Sequence, residues 1–207
     1  MPILTGFKGE KFGLIGRVLG HSWSEKIHAI LADYDFGLYP MEPEEVEGFV
    51  KGRSLCGFNV TIPYKETVIP FCDETSDRAK AIGAINCITY ADGKIKGDNT
   101  DYYGFEYTME RLRVSAKGKK ALVLGSGGAS KAVQAVLAAN GAAKIVVISR
   151  NGKDNYENVY ERNPDAAIVV NATPIGMHPN VDASPLDLAP FKNLEGVCDV
   201  IYNPEET

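Results

Sequence analysis

The sequence has little of what marks several protein classes. Its 207 residues contain no run of Lys and Arg that could track a phosphate backbone, and the formal charge of −5 argues against nucleic acid as the main partner. An anionic small molecule stays open, because binding follows the local field and not the total charge. No apolar stretch has the length of a membrane span, and the start, MPILTGFKGEKFGLIG, lacks the long apolar core of a signal peptide. The four cysteines, Cys56, Cys72, Cys87 and Cys198, are widely spaced and form no CxxC pair. Such scatter suits reduced, partly buried thiols in a cytoplasmic protein and speaks against a disulfide framework or a zinc site. The three histidines, His21, His28 and His178, are dispersed as well, so no metal site is expected. There is no internal repeat, low-complexity tract or heptad, and nothing from which an oligomeric state can be read.

What is present is an ordinary globular composition, 44% apolar and 24% charged, long enough for one large or two small domains. The chain has two halves of different character. In the first, FGLIG (12–16) reads as a short strand, followed by a helix from about Ser24 to Asp33, then FGLYP, then a helix with Pro43 in its first turn. NVTIP (59–63) starts as a strand, with Asn59 and Thr61 on one side and Val60 and Ile62 turned to the core. A helical segment near Ser76 to Ile82 leads to INCITY and KIKG, which flank Ala91-Asp92-Gly93, a strong hairpin signal. A helix from about Tyr102 to Arg113 follows, with Phe105, Met109 and Leu112 on one face. In the second half ALVLG, KIVVIS, AIVVN and VCDVIY are continuous apolar runs, the pattern of parallel strands covered on both faces. The helix SKAVQAVLAAN presents Val133, Val136 and Leu137 inward and stops near Gly141. Strand, glycine turn, helix, strand is the opening of a doubly wound nucleotide-binding sheet, so the fold class is α/β.

The glycine turn is Gly125-Ser126-Gly127-Gly128-Ala129-Ser130, between a strand and a helix. There, backbone N–H groups can approach a pyrophosphate while the helix start supplies favourable partial charge. Ser130 stands at the third glycine of G-x-G-x-x-G, so the motif gains its weight from context. At the end of the next strand a carboxylate would select NAD and an arginine the 2′-phosphate of NADP. The chain has Ser149-Arg150-Asn151 and no carboxylate before Asp154, which favours NADP.

The first half carries a polar set that a core does not need. HSWSE places Ser22 and Ser24 ahead of a helix, AINCI places Asn86 inside an apolar run, and GDNTD places Asn99, Thr100 and Asp101 before another helix. Each has a purely structural reading: Ser22 with Glu25 as a capping box, Asn86 as a backbone partner, Asp101 as an N-cap. Lys65 alone reads as a surface lysine. Together they suit a small molecule bearing hydroxyls and a carboxylate, with a Lys–Asp pair able to move a proton, as alcohol–ketone interconversion requires.

HSWS, NVTIPYK, GAIN, GDNTD, GSGGAS, NATPIGM and IYNP, in that order, resemble shikimate dehydrogenases over nearly the whole chain. NVTIPYK and GDNTD are the most specific of these; GSGGAS would carry little alone. The resemblance implies a shikimate-binding catalytic domain over 1–101 and a Rossmann-like NADP-binding domain over 102–207. The implied activity is reversible NADPH-dependent reduction of 3-dehydroshikimate to shikimate, in chorismate and aromatic amino-acid biosynthesis. The alternatives are a quinate/shikimate enzyme or a ligand-binding remnant without turnover. By resemblance, Lys65 and Asp101 are the catalytic pair and also touch substrate. Ser22 and Ser24 hold its carboxylate, and Thr61, Asn86 and Tyr202 add contacts, with Asn59 in the same motif. Gly125, Gly127, Gly128 and Ala129 cradle the cofactor phosphates, Arg150 meets the 2′-phosphate, and Thr173 and Met177 lie near the ribose and nicotinamide. Departures from the pattern are Glu25 in place of a proline, Ser149 in place of an asparagine, and a short segment from Asn151 to Pro164 that implies a trimmed helix. The family pattern continues beyond IYNPEET with further cofactor-domain structure and returning helices, so a chain truncated at its C-terminus is expected.

Overall fold

The computed structural model describes residues 3–20 and 22–204, so His21 of HSWS and the last residues of IYNPEET lie outside the described residues. The chain divides into two compact units, one ending at Thr100 and the other starting at Asp101.

The first unit runs β1 (Lys11–Gly16), α1 (Ser24–Leu31), β2 (Asp35–Pro40), α2 (Pro43–Gly52), β3 (Gly57–Val60), β4 (Glu74–Thr75), α3 (Asp77–Ile82), β5 (Cys87–Ala91) and β6 (Lys94–Asp98). Its strands form one mixed sheet in the order β2-β1-β3-β5-β6-β4. β1 is parallel to β2 and β3, whereas β5 is antiparallel to both β3 and β6. The local signals act as the residue types dictate. Pro43 opens α2, where the backbone N–H of Glu42 donates to Glu45 Oε2 at 2.7 Å in a capping box. Asp92 (φ 55°) and Gly93 (φ 75°) form the β5–β6 turn, both left-handed as a two-residue hairpin requires.

Paired residues share a face of a sheet, and the two faces here differ. Ile15, Phe58, Val60 and Ile88 pack with Val46 and Val50 of α2 in the buried core. The other face carries Phe12, Leu14, Phe36 and Asn59 by register, and α1, which lies there, buries none of its residues. One expectation fails on this strand. Ile62 is 66% exposed, because β3 ends at Val60 and residues 62–68 turn, so the two-residue alternation no longer applies.

The second unit runs α4 (Asp101–Leu112), β7 (Lys120–Leu124), α5 (Gly128–Ala139), β8 (Lys144–Ile148), α6 (Val159–Arg162), β9 (Ile168–Asn171) and β10 (Gly196–Asp199). The sheet order is β10-β9-β7-β8 and every pairing is parallel. Alternate residues fill two layers. Ala121, Val123, Ile168 and Val170 meet Phe105, Met109, Val133, Val136 and Leu137, while Leu122, Leu124, Ile148 and Val169 meet Val159, Leu186 and Phe191. Each such large apolar side chain contributes about 1.5–3 kcal/mol by leaving water.

Two inward expectations are corrected here. Leu112 is 55% exposed, because α4 ends on it and Arg113 turns left-handed (φ 56°). The N–H of Val114 then donates to the carbonyl of Met109, and that of Arg113 to Glu110, so Val114 takes the inward place beside the core. Val197 is 47% exposed: β10 is an edge strand, and the layer over that face does not reach it. The short 151–164 segment keeps a single helical turn, α6. Among the described residues no helix is long and apolar enough to cross a membrane.

Candidate functional site

In the first unit, antiparallel pairing brings several loops to one edge of the sheet. Asn59 of β3 lies opposite Cys87 of β5, and Cys87 opposite Asp98 of β6. The ends of β1, β3 and β6 and the beginning of β5 therefore share an edge. Ser22 and Ser24 follow β1, Thr61 and Lys65 follow β3, Asn86 precedes β5, and Asn99 and Thr100 follow β6. Residues far apart in sequence thus converge.

Hydrogen bonds lock these loops together. Thr61 N–H donates to the Ile15 carbonyl at 2.9 Å, and Ile85 N–H to the Lys65 carbonyl at 2.7 Å. Gly16 permits the first approach, since a Cβ there would lie 2.6 Å from Thr61 Cγ2. Ser22 Oγ accepts from the Ser24 N–H at 3.2 Å and donates to Ser24 Oγ at 3.1 Å. That replaces the expected Ser22–Glu25 capping box: α1 starts at Ser24, one residue too late, and its cap position is Trp23, without a side-chain bond. Asn86 is buried. Its Oδ1 accepts from the Thr100 N–H at 2.7 Å, and its Nδ2 donates to Thr100 Oγ1 at 3.0 Å.

A partly buried network fixes the neighbouring corner. Asn99 donates from Nδ2 to the Ala84 carbonyl at 2.9 Å, and Arg78 donates from Nε to the Asn99 carbonyl at 2.9 Å. Asp98 accepts from Arg78 on both oxygens, from Ser76 Oγ at 2.5 Å and from the Asn99 N–H at 2.7 Å. Burial alone would raise the Asp98 carboxyl, but the Ser76 hydroxyl, the Asn99 N–H and the Arg78 charge hold it below its ordinary value. Sequence reading missed Arg78 and Ser76, whose partners lie some twenty positions away. Asp101 is half-buried and is the first residue of α4, inside the helix and not its N-cap. It belongs to the second unit, and Lys65 to the first.

In the second unit every expected cofactor residue follows the carboxyl end of a parallel strand: Gly125, Gly127, Gly128 and Ala129 after β7, Arg150 after β8, Thr173 and Met177 after β9. Tyr202 follows β10 and is 64% exposed. The strand order reverses between β7 and β9, where open α/β sheets take ligands. Gly125 sits in that crevice with φ 101°, and a Cβ on it would lie 2.9 Å from the Ala172 carbonyl oxygen and 3.1 Å from Thr173 Cγ2. Gly127 caps α5 in extended conformation, has no side-chain cap bond, and leaves open space where its Cβ would be. An uncapped helix start beneath open space fits a pyrophosphate. Ser130 is fully buried, small enough for the packing of helix on strand, and its Oγ accepts from Gln134 Nε2 at 3.1 Å.

Arg150 is exposed at the end of β8. Asp154, the next carboxylate, is engaged elsewhere: Arg162 Nε donates to its Oδ1 at 2.7 Å, and that bond is the main reason its pKa is lowered. Thr173 Oγ1 donates to Asn171 Oδ1 at 2.7 Å and accepts from the Ile175 N–H at 3.1 Å. Asn171 in turn donates to Asp199 Oδ2 at 3.1 Å, tying the end of β9 to the end of β10. Among the described residues no group of three or more His, Cys, Asp or Glu side chains could hold a metal ion.

A family model for the shikimate dehydrogenase substrate binding domain matches residues 14–88. The shikimate dehydrogenase (NADP(+)) of Clostridium beijerinckii is 39% identical over 96% of this chain and 80% of its own length. The chain belongs to the shikimate dehydrogenase family. Among solved structures, shikimate dehydrogenase 1 of Peptoclostridium difficile superposes with a TM-score of 0.85 at 34% identity, covering 96% of this chain and 80% of its own. The shikimate 5-dehydrogenase of Thermus thermophilus, solved with NADP(H) and shikimate, gives 0.82 at 30% identity, covering 94% and 80%. The matched family model falls within the first unit.

Proposed function

We propose that this chain is an NADP-dependent oxidoreductase that interconverts 3-dehydroshikimate and shikimate in the cytoplasm. The observation that carries the reading is the common edge on which Ser22, Ser24, Thr61, Lys65 and Asn86 converge, in a chain 39% identical to a shikimate dehydrogenase (NADP(+)). The Ser24 hydroxyl donates to the substrate carboxylate, and that of Ser22, which donates to Ser24 Oγ in the ligand-free chain, rotates to do the same; Thr61, Asn86 and Tyr202 meet the substrate hydroxyls. Gly125, Gly127, Gly128 and Ala129 receive the cofactor phosphates, Arg150 the 2′-phosphate, and Thr173 and Met177 border the ribose and nicotinamide. The open space above Gly127 and the engagement of Asp154 with Arg162 support that assignment and the choice of NADP.

NADPH, when bound, supplies a hydride to the carbonyl carbon. Lys65 gives a proton from its ammonium to the carbonyl oxygen, which becomes the hydroxyl of shikimate, and the amine recovers its proton from solvent. Asp101 accepts from a substrate hydroxyl. General acid help of this kind is typically worth about 100- to 10,000-fold. Lys65→Met is therefore expected to lower kcat by roughly that factor, with KM for shikimate changed only a few-fold, measured by NADPH fluorescence as shikimate is oxidised. Turnover equal to that of the unaltered chain would remove Lys65 from the chemistry.

A further inference from the structure

At the carboxyl end of β9 stands a buried asparagine that the chemistry above does not use. Asn171 is the last residue of that strand and pairs with Asp199 of β10. A side-chain amide has two N–H donors and an oxygen with two lone pairs, and here all of them are taken. Oδ1 accepts from the Thr173 N–H at 3.0 Å and from Thr173 Oγ1 at 2.7 Å. Nδ2 donates to the Ile175 carbonyl at 3.2 Å and to Asp199 Oδ2 at 3.1 Å. A backbone N–H at one end, and a carbonyl with a carboxylate at the other, permit a single orientation of the amide. Further bonds join the same two chain segments. Val200 N–H donates to the Asn171 carbonyl at 3.1 Å, and His178 N–H to the Asn203 carbonyl at 3.1 Å. Asp199 uses its other oxygen, Oδ1, to accept from the Ile201 N–H at 2.9 Å.

We propose that Asn171 is a positioning residue for the cofactor, acting through Thr173. With every hydrogen-bonding position of its amide satisfied inside the fold, Asn171 has none left for a ligand. What it does is commit the hydroxyl of Thr173. That hydroxyl gives its only proton to Asn171 Oδ1 and accepts from the Ile175 N–H at 3.1 Å, so the side chain is held in one rotamer. In that rotamer Cγ2 lies beside the glycine turn, 3.1 Å from where a Cβ on Gly125 would be. The crevice therefore offers a methyl group at this point and no donor, and it selects an apolar surface of the ligand there over an oxygen that accepts. Asp199 is the anchor of the arrangement, because its two oxygens serve Asn171 and the Ile201 N–H separately. The rotamer follows from these bonds alone; its effect on NADP rests on the proposed reading that the crevice holds the cofactor.

The test uses the full chain. Three-bond couplings to Thr173 Cγ2 in the ligand-free protein are expected to report one χ1 rotamer. Asn171→Asp keeps the shape but sets a carboxylate oxygen against Asp199 and the Ile175 carbonyl, and there the rotamer is expected to average. The Kd for NADP by calorimetry is expected to rise about 5- to 50-fold in that variant, the scale of a buried polar group left unpaired. Adding Asp199→Asn, whose amide can donate back across the same pair, is expected to recover most of the loss. Two variants of Thr173 separate its atoms. Thr173→Ser keeps the hydroxyl and is expected to raise the NADP Kd about 3- to 5-fold, the scale of one buried methyl group. Thr173→Val keeps the methyl and is expected to lower Tm by about 2–6 °C while the NADP Kd stays close to that of the unaltered chain. Should Asn171→Asp not fold, the Thr173 pair alone decides. Rotamer averaging in the unaltered, ligand-free chain overturns the proposal whatever the crevice binds. So does a greater loss of NADP affinity in Thr173→Val than in Thr173→Ser, or a lower Tm with an unchanged NADP Kd in Asn171→Asp, which would make the asparagine purely structural. A fixed rotamer in a chain that binds no NADP overturns the cofactor reading and the positioning role built on it.

Discussion

Replacing Gly127 by alanine separates a ligand cradle from a merely tight turn. Gly127 has φ −81° and ψ −173°, which alanine adopts without strain, and among the described residues, its chain neighbours aside, no atom lies within 4 Å of the added Cβ. Folding has no reason to suffer. Gly→Ala at a compatible position usually stabilises by about 0.4–1 kcal/mol through the unfolded chain, so Tm is expected to hold or rise by about 1–4 °C. If the pyrophosphate occupies that open space, the methyl group displaces it. Overpacking of this kind costs about 1–3 kcal/mol, which is roughly a 5- to 150-fold rise in the Kd for NADP. Gly125→Ala is the control. Its φ of 101° and a Cβ 2.9 Å from the Ala172 carbonyl oxygen strain the protein itself, a cost of about 1–3 kcal/mol and so a Tm lower by about 2–12 °C. Calorimetric titration with NADP and differential scanning calorimetry on both variants supply the comparison. An unaltered NADP affinity in Gly127→Ala would refute the cradle, however well the turn matches its pattern.

Two further outcomes follow from side chains away from the reacting atoms. Arg150→Ala is expected to raise the Kd for NADP roughly tenfold or more, as loss of a charged hydrogen bond does, while the weaker binding of NAD stays within a few-fold; equal losses for both would show that Arg150 does not read the 2′-phosphate. Arg78→Met is expected to lower stability at neutral pH by about 1–2 kcal/mol, allowing for the partial exposure of the pair. Asp98 has a folded pKa below its unfolded one, so its contribution is complete above the unfolded value and disappears as pH falls through the folded one. The gap between Arg78→Met and the unaltered chain in urea denaturation is therefore expected to narrow under acid conditions; a gap that stays constant with pH would mean that Arg78 acts by packing.

The second unit was the more legible of the two. Its strands are continuous apolar runs with a glycine turn and a period-3.6 helix between them, and each signal is local, so β7, α5, β8 and β9 stand where the sequence puts them. The Asp92-Gly93 hairpin was legible for the same reason, since positive φ at two adjacent positions is a property of those two residues. Errors came where a pattern was extended past the element that generates it. Ile62 continued the alternation of NVTIP beyond the last residue of β3, and Leu112 continued the apolar face of α4 to its final turn, where Arg113 redirects the chain and Val114 packs instead. The Ser22–Glu25 capping box failed by a one-residue shift in the helix start, within the usual uncertainty of a boundary.

Long-range hydrogen bonds account for what the sequence withheld from the site, and they change how its polar residues are read. Ser76–Asp98, Asn86–Thr100 and Asn171–Asp199 join positions 14 to 28 apart, and no periodicity reports on such pairs. A structural role and a binding role looked like competing readings of Asn86. An amide has two donors and an acceptor with two lone pairs, so one side chain can serve both. Asn86 uses its Oδ1 on the Thr100 backbone and so fixes the loop after β6 while sitting on the candidate substrate edge. Thr173 shows the limiting case. Its hydroxyl donates to Asn171 and accepts from the Ile175 N–H, while its methyl Cγ2 faces the Gly125 crevice. If a cofactor lies there, Thr173 meets it chiefly through the methyl group and by the shape of the loop it braces. The polar character of a motif residue therefore does not say which of its atoms reaches the ligand; the hydrogen bonds already satisfied within the fold decide that.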